Sequence, residues 1–175
     1  MVVSLAPFVP SQPDVVKKML EIAHVNSDDV VFDLGCGDGR ILIAAVKDFG
    51  AKKAVGYEMR RDLYQKDLET VKSENLEARI RVFNENLLDA DLSEATVVTL
   101  YLTTSGNNKL KPKLTEEAPM GTRIVSHDFE FPGWAFTKKE NFRGHTIYLY
   151  TIPDCLKKEG RPRAAFSFKG IRLFQ

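Results

Sequence analysis

The residues best placed for chemistry stand in the stretch VVFDLGCGDGR, residues 30–40. Asp33 closes a β-branched apolar run, and Gly35, Gly37 and Gly39 follow it on alternate positions. Glycines at a strand–turn–helix junction let a ligand approach the backbone with no Cβ in the way. The phosphate-cradling pattern G-x-x-x-x-G-K-[ST] is absent. A dinucleotide loop, G-x-G-x-x-G, needs glycine where Arg40 stands, and here the last glycine arrives one residue early. Asp33 would also repel a pyrophosphate at that strand end. An acid in this place suits a ligand with a cationic end and no phosphate.

S-Adenosylmethionine is such a ligand, with an ammonium, a sulfonium and an adenosine. A carboxylate at position 33 can hold the ammonium through a charge-assisted hydrogen bond. The loop amides and the start of the next helix are expected to receive the ligand's carboxylate. Glu58 closes the run AVGYE, 25 positions after Asp33, where an acid accepts the two hydroxyls of a ribose. Together, D-L-G-C-G-D-G and Glu58 point to an S-adenosylmethionine site.

The elements that must position these groups are legible from periodicity. SQPDVVKKMLEIAHV reads as a helix with Pro13 in its first turn and an apolar stripe through Val15, Val16, Met19, Leu20 and Ile22. DDVVFDLG is a buried strand, and RILIAAVKDFG a nearly all-apolar helix that stops at Gly50. KKAVGYE, ARIRVFN, ATVVTLYLTT, GTRIVSHDFEF and HTIYLYTI read as strands, and RRDLYQKDLETVKSENL as an amphipathic helix. NNKLKPKLTEEAP reads as a short irregular helix broken near Pro112. AFTKKENF is a possible strand, although KKENFR by itself reads as a solvated turn. Strands alternating with helices predict an α/β fold: a doubly wound, mostly parallel, seven-stranded Rossmann-like sheet. The short link between the last strands predicts an antiparallel C-terminal edge hairpin.

The 175 residues suffice for one domain with a core, and 43% hydrophobic with 28% charged residues is ordinary for a globular chain. A formal net charge of +1 makes no global case for nucleic acid or anionic lipid. Lys157 to Arg172 nonetheless holds six basic residues against one acid, a basic extension at the C-terminal end. The expected organisation is an N-terminal segment and helix at 1–25, a domain with the S-adenosylmethionine site at 26–152 and the basic extension at 153–175. Two cysteines and no apolar run near the ~20 residues of a membrane span predict a soluble, reduced, cytoplasmic protein. His24, His127, His145, Cys36 and Cys155 show no short metal-ligand spacing, so no metal is expected. His127 reads as a structural histidine and Trp134 as an edge-covering aromatic.

The segments DLGCGDGR, VGYEM, SEATVVTLYL, LKPKL, GTRIVSHDFEFPGW and HTIYLY resemble the archaeal protein-lysine methyltransferases of the seven-strand, non-SET type. The resemblance runs from about Phe8 to Tyr150 and is most specific in PFVPSQPDVV and SHDFEFPGW. It implies that Phe8, Val9, Pro10 and Ser11 close over the cofactor. Asp33, Gly35, Gly37 and Asp38, with Cys36 and Gly39 in the same loop, would line the methionine end. Glu58 would take the ribose, Met59 would pack on the adenine, and Asn86 and Leu87 would flank it. Tyr101 and Thr103 would form the catalytic mouth for the acceptor amine, beside Leu102. Phe8 stands where relatives tend to carry tyrosine. The expected substrates are exposed lysines of proteins, chromatin proteins among them. The place of a [DN]-P-P-[YF] turn reads LYLTT, which favours a flexible amine over a planar base nitrogen; an RNA or small-molecule acceptor is the alternative, with the basic tail speaking for RNA. A non-catalytic binding module is the remaining one.

Overall fold

The computed structural model describes residues 4–157, so most of the basic extension lies outside the described residues. Seven strands form one sheet: β1 (Val30–Leu34), β2 (Lys53–Tyr57), β3 (Ile80–Phe83), β4 (Val97–Leu100), β5 (Arg123–His127), β6 (Lys138–Phe142) and β7 (His145–Thr151). Their order is β3-β2-β1-β4-β5-β7-β6. The β1–β2, β1–β4, β2–β3 and β4–β5 pairs are parallel, and β7 runs antiparallel to both β5 and β6. One strand is therefore reversed, as the short final connection requires.

Helices α1 (Pro13–Ile22), α2 (Arg40–Lys47), α3 (Arg61–Ser73) and α4 (Thr104–Glu117) flank the sheet. Alternation within each strand divides the core. Val31, Val97, Val125 and Ile147 pack with Val15, Met19, Leu20 and Ile41 from α1 and α2. Phe32, Leu34, Val98, Leu100 and Ile124 pack with Leu110 and Leu114 of α4. The N-terminal helix thus shares the core of the sheet. Asp33 falls on the α1/α2 face, in register with Gly56 on β2 and Thr99 on β4. Chain order reverses between β1 and β4, so a crevice opens beyond their carboxyl ends.

Two expectations need correction. The segment around Pro112 is a continuous helix of 14 residues that begins at Thr104. Pro112 is exposed, so the carbonyl its missing N–H leaves free can be hydrated, and Thr103 caps the start by accepting the Gly106 N–H at 3.0 Å. KKENF is the edge strand β6 and not a turn. Its charged residues suit a sheet edge, and Lys18 of α1 pairs with Glu140 across it.

Gly56 keeps the site end of the sheet closely packed. A Cβ there would stand 2.6 Å from Leu42 Cδ1 and 2.7 Å from Cys36 Sγ. Gly56→Ala is expected to cost about 1–3 kcal/mol by overpacking, read as a lower urea midpoint at unchanged slope. An unshifted midpoint would contradict this packing.

Candidate active site

The turn after β1 consumes its own amides. Gly35 and Cys36 both donate to the Tyr57 carbonyl, at 2.9 and 3.0 Å, and Gly39 donates to the Cys36 carbonyl at 2.9 Å. The Gly37 N–H donates to Glu58 Oε2 at 2.9 Å. None of these four groups is left to cradle a phosphate. The Asp38 amide and the first amides of α2 take no part in these bonds, so the expected seat of the ligand's carboxylate falls at the helix start. Arg40 lines the cavity as well, and its three hydrogen bonds, to Asp38 and to the Ser11 carbonyl, leave guanidinium donors over.

Asp33 is buried, and Thr99 Oγ1 donates to its Oδ1 at 2.9 Å. Burial pushes its carboxyl up to about 7, the Thr99 bond works against the rise, and the charges of Glu58 and Asp38 add to it. Asp67 of α3 lies behind the loop, where a Cβ on Gly39 would stand 2.8 Å from its Oδ1. It accepts the Cys36 thiol at 3.4 Å through Oδ2, and Oδ1 is buried without a partner among the described residues. Burial pushes Asp67 up to about 8. Asp38 goes the other way, held below the usual carboxylate range by the hydrogen bonds and charge of Arg40.

Asp33, Asp38 and Arg40 border a cavity of about 770 Å³, with Asp67 outside its lining. The predicted residues converge there: Phe8 to Ser11 on one wall, Asp33 and Gly35 to Asp38 on the floor, and Glu58 with Met59 at the end of β2. Asn86 and Leu87 follow β3, and Tyr101 and Thr103 follow β4. Gly39 is the exception, turned toward Asp67. Arg40, Arg60 and Tyr57 line the cavity as well, without a signal in the sequence that singles them out. Phe8 covers the turn: a Cβ on Gly37 would meet its ring at 2.5 Å, and φ of +59° suits glycine on conformational grounds as well. The Arg60 guanidinium lies 5.9 Å from the centre of that ring. Ser11 is buried, with its hydroxyl 2.8 Å from His127 Nδ1. Thr103 donates to the Leu5 carbonyl at 3.2 Å, so the hydroxyl that caps α4 also ties down the N-terminal segment.

A second cavity of about 120 Å³ shares Ala6, Pro7, Val9, Tyr101, Leu102 and Thr103 with the first and adds Phe129. Nothing in the linear sequence marks Phe129 for this place. Asn107 of α4 fixes its position, donating to the Phe129 carbonyl at 3.0 Å. The Tyr101 hydroxyl donates to Asp128 Oδ2 at 3.3 Å, and its ring stacks on His127 at 3.8 Å. Burial and the Asp128 charge raise the Tyr101 pKa, so the phenol keeps its proton. Burial pushes His127 down to about 4, which leaves the imidazole neutral.

The residues fit S-adenosylmethionine. Asp33 offers a carboxylate without a cationic partner among the described residues, four amides of the turn are already engaged, and Glu58 keeps lone pairs for two hydroxyls. The fold and this cavity define a Rossmann-like, S-adenosylmethionine-dependent methyltransferase. Residues 33–138 match the ANTKMT methyltransferase domain. A protein-lysine N-methyltransferase of Saccharolobus islandicus (strain REY15A) is 47% identical over 152 residues, which are 85% of this chain and 94% of the relative. An adenine nucleotide translocase lysine N-methyltransferase of Mus musculus is 30% identical over 128 residues, 73% of this chain and 55% of its own length. A crystal structure described as an RNA methyltransferase from Salinibacter ruber, in complex with S-adenosyl-L-homocysteine, matches with a TM-score of 0.81 at 43% identity, covering 89% of this chain and 98% of that one. The chain belongs to the ANTKMT methyltransferase domain family.

The raised carboxyls set two pH dependences. An ammonium ligand needs Asp33 charged, so affinity for S-adenosylhomocysteine is expected to rise from pH 5.5 to 7, by up to about tenfold per unit. This window lies below the range in which the ligand's own α-ammonium loses its proton. Asp33→Asn should weaken binding and flatten the profile, as read by titration calorimetry; a sloping profile in that variant would move the titration to another group. In the free protein the neutral forms of Asp33 and Asp67 suit the fold. Their stabilising contribution is complete below the unfolded carboxyl pKa of about 3.9 and is lost as pH rises through about 7 and about 8. Asp67→Asn should therefore lose less Tm than the parent between pH 7 and 9.

Proposed function

We propose that this chain is a protein-lysine N-methyltransferase, with Tyr101 and Thr103 at the mouth where the lysine amine meets the cofactor. The observation that carries the reading is the small cavity beside the larger one, walled by Ala6, Pro7, Val9, Leu102, Tyr101 and Phe129. A narrow apolar passage of this kind suits four methylenes that end in an amine. The 47% identical archaeal relative named for lysine methylation supports it.

The cofactor, when bound, supplies a methyl group on a sulfonium for in-line displacement. The protein's work is alignment and control of one proton. A free lysine has a pKa of about 10.4 and its amine must be neutral to attack. The apolar walls lower that pKa by desolvation. Tyr101, kept as a phenol, can accept an N–H of the amine and turn its lone pair toward the cavity. Thr103 works by position, since its hydroxyl holds the start of α4 and the Leu5 carbonyl. The cofactor-binding roles assigned above to Phe8–Ser11, Asp33, the loop, Glu58, Met59, Asn86 and Leu87 belong to the same proposal. Lysine-rich chromatin proteins are the partner class we favour. The two free, buried cysteines support a cytoplasmic setting, and no described helix is long and apolar enough to cross a membrane.

The Salinibacter ruber structure, 43% identical and named an RNA methyltransferase, favours a second reading with RNA as acceptor. Incubation with methyl-labelled S-adenosylmethionine and host lysate separates the two. Label is expected in protein, recovered as methyl-lysine and resistant to ribonuclease; label confined to RNA would replace this reading with the second. On an isolated protein substrate at saturation, kcat is expected to climb about tenfold per pH unit above neutrality until the bound amine's lowered pKa is passed.

A further inference from the structure

The strand pairing that closes the sheet also assembles a group of donors beside the acceptor mouth. His127 ends β5, Asp128 follows it, and His145 begins β7, the antiparallel neighbour of β5. His127 Nε2 and His145 Nδ1 stand 2.9 Å apart, His145 Nδ1 and Asp128 Oδ2 3.0 Å, and His127 Nε2 and Asp128 Oδ2 3.4 Å.

With Asp128 ionised, no arrangement of protons on the two imidazoles satisfies all three edges of this triangle. A proton on His127 Nε2 leaves the bare His145 Nδ1 facing a carboxylate oxygen. A proton on His145 Nδ1 leaves the bare His127 Nε2 facing it instead. Protons on both nitrogens set two N–H groups against each other across 2.9 Å. A cation at the centre removes the conflict, because every donor can then turn a lone pair inward. Ligands about 2.0–2.2 Å from an ion at tetrahedral or octahedral angles lie about 2.9–3.5 Å from one another, which is the spacing found.

The donors are also held in place. Ser11 Oγ meets the other nitrogen of His127 at 2.8 Å, the kind of outer contact that orients ligating histidines. Asp128 adopts φ +60°, and its Oδ1 accepts the Thr146 N–H at 2.9 Å, which turns Oδ2 toward the histidines. His127 is buried, whereas the His145 and Asp128 side chains are 32% and 27% exposed, leaving an entry path and room for water ligands.

We infer that His127, Asp128 and His145 form a binding site for a divalent transition ion of the zinc class. Two imidazoles and one carboxylate favour Zn²⁺, Co²⁺ or Ni²⁺ over the oxygen-seeking Mg²⁺ and Ca²⁺. The ligands lie 18 residues apart in sequence and meet only through β-pairing, so linear spacing conceals them. An ion there shares Asp128 Oδ2 with the Tyr101 hydroxyl, and its effect on methyl transfer, unlike the site itself, rests on the proposed function.

Full-length protein stripped with a chelator is expected to bind one Zn²⁺ by calorimetry and to develop a visible Co²⁺ spectrum without a sulfur-to-metal band. His145→Ala should weaken Zn²⁺ binding at least about 100-fold, with S-adenosylhomocysteine affinity retained, because His145 lies outside the cofactor cavity. If the alanine variant fails to fold, His145→Gln carries the same expectation. Zn²⁺ bound no better than Mg²⁺, binding unchanged by the His145 substitution, or a sulfur-to-cobalt band from Cys36 or Cys155 would each overturn the assignment.

Discussion

The site is organised around a shortage of positive charge at one end of the sheet. Asp33, Asp38, Glu58 and Asp67 converge on the turn after β1, and among the described residues only Asp38 of the four is paired with a cation there, Arg40. Asp33 and Asp67 meet the shortage by holding protons near neutral pH. Glu58 meets it with two backbone N–H bonds, from Gly37 and Arg60. A cationic ligand can relieve Asp33 and an anionic one would aggravate it, so the cavity selects by charge before it selects by shape.

That constraint explains why so much of the lining of the larger cavity was legible in the sequence. Acid, glycine spacing and the acid 25 residues later are local features, each tied to a strand end, and parallel strands in register bring their ends together. The sheet was legible for the same reason, since β1, β2 and β4 are largely apolar runs that only Asp33, Lys53 and Thr99 interrupt. Pro112 misled because its effect depends on facing solvent, which the local pattern does not report. KKENF misled because a charged edge strand and a charged turn have the same composition.

What could not be read were contacts between distant segments. Arg40 stood out in the sequence only as the residue that spoils a dinucleotide motif; in the fold it bridges Asp38 and the Ser11 carbonyl. Asp67 looked like one more polar residue on an amphipathic helix, yet it is buried under Gly39. Phe129 owes its place to Asn107, 22 residues away. His127 reads as structural in the sequence and is buried, but its partners Ser11 and His145 come from opposite ends of the chain.

Those distant contacts join end to end. Asp38 binds Arg40, Arg40 binds the Ser11 carbonyl, Ser11 Oγ meets His127, and His127 lies against Tyr101, whose hydroxyl reaches Asp128. The chain of contacts begins at the turn under the cofactor cavity and ends at the wall of the smaller one. Its middle is the N-terminal segment, which leans on the site through Phe8 over Gly37, Leu5 against Gly106 and Thr103, and Ser11 between Arg40 and His127. A segment with few apolar contacts of its own is cheap to displace, whereas one fastened at both cavities cannot leave one without loosening the other. The N-terminal segment and the wall of the smaller cavity are in this sense a single mechanical unit, joined through Ser11 at His127 and through Leu5 at Thr103.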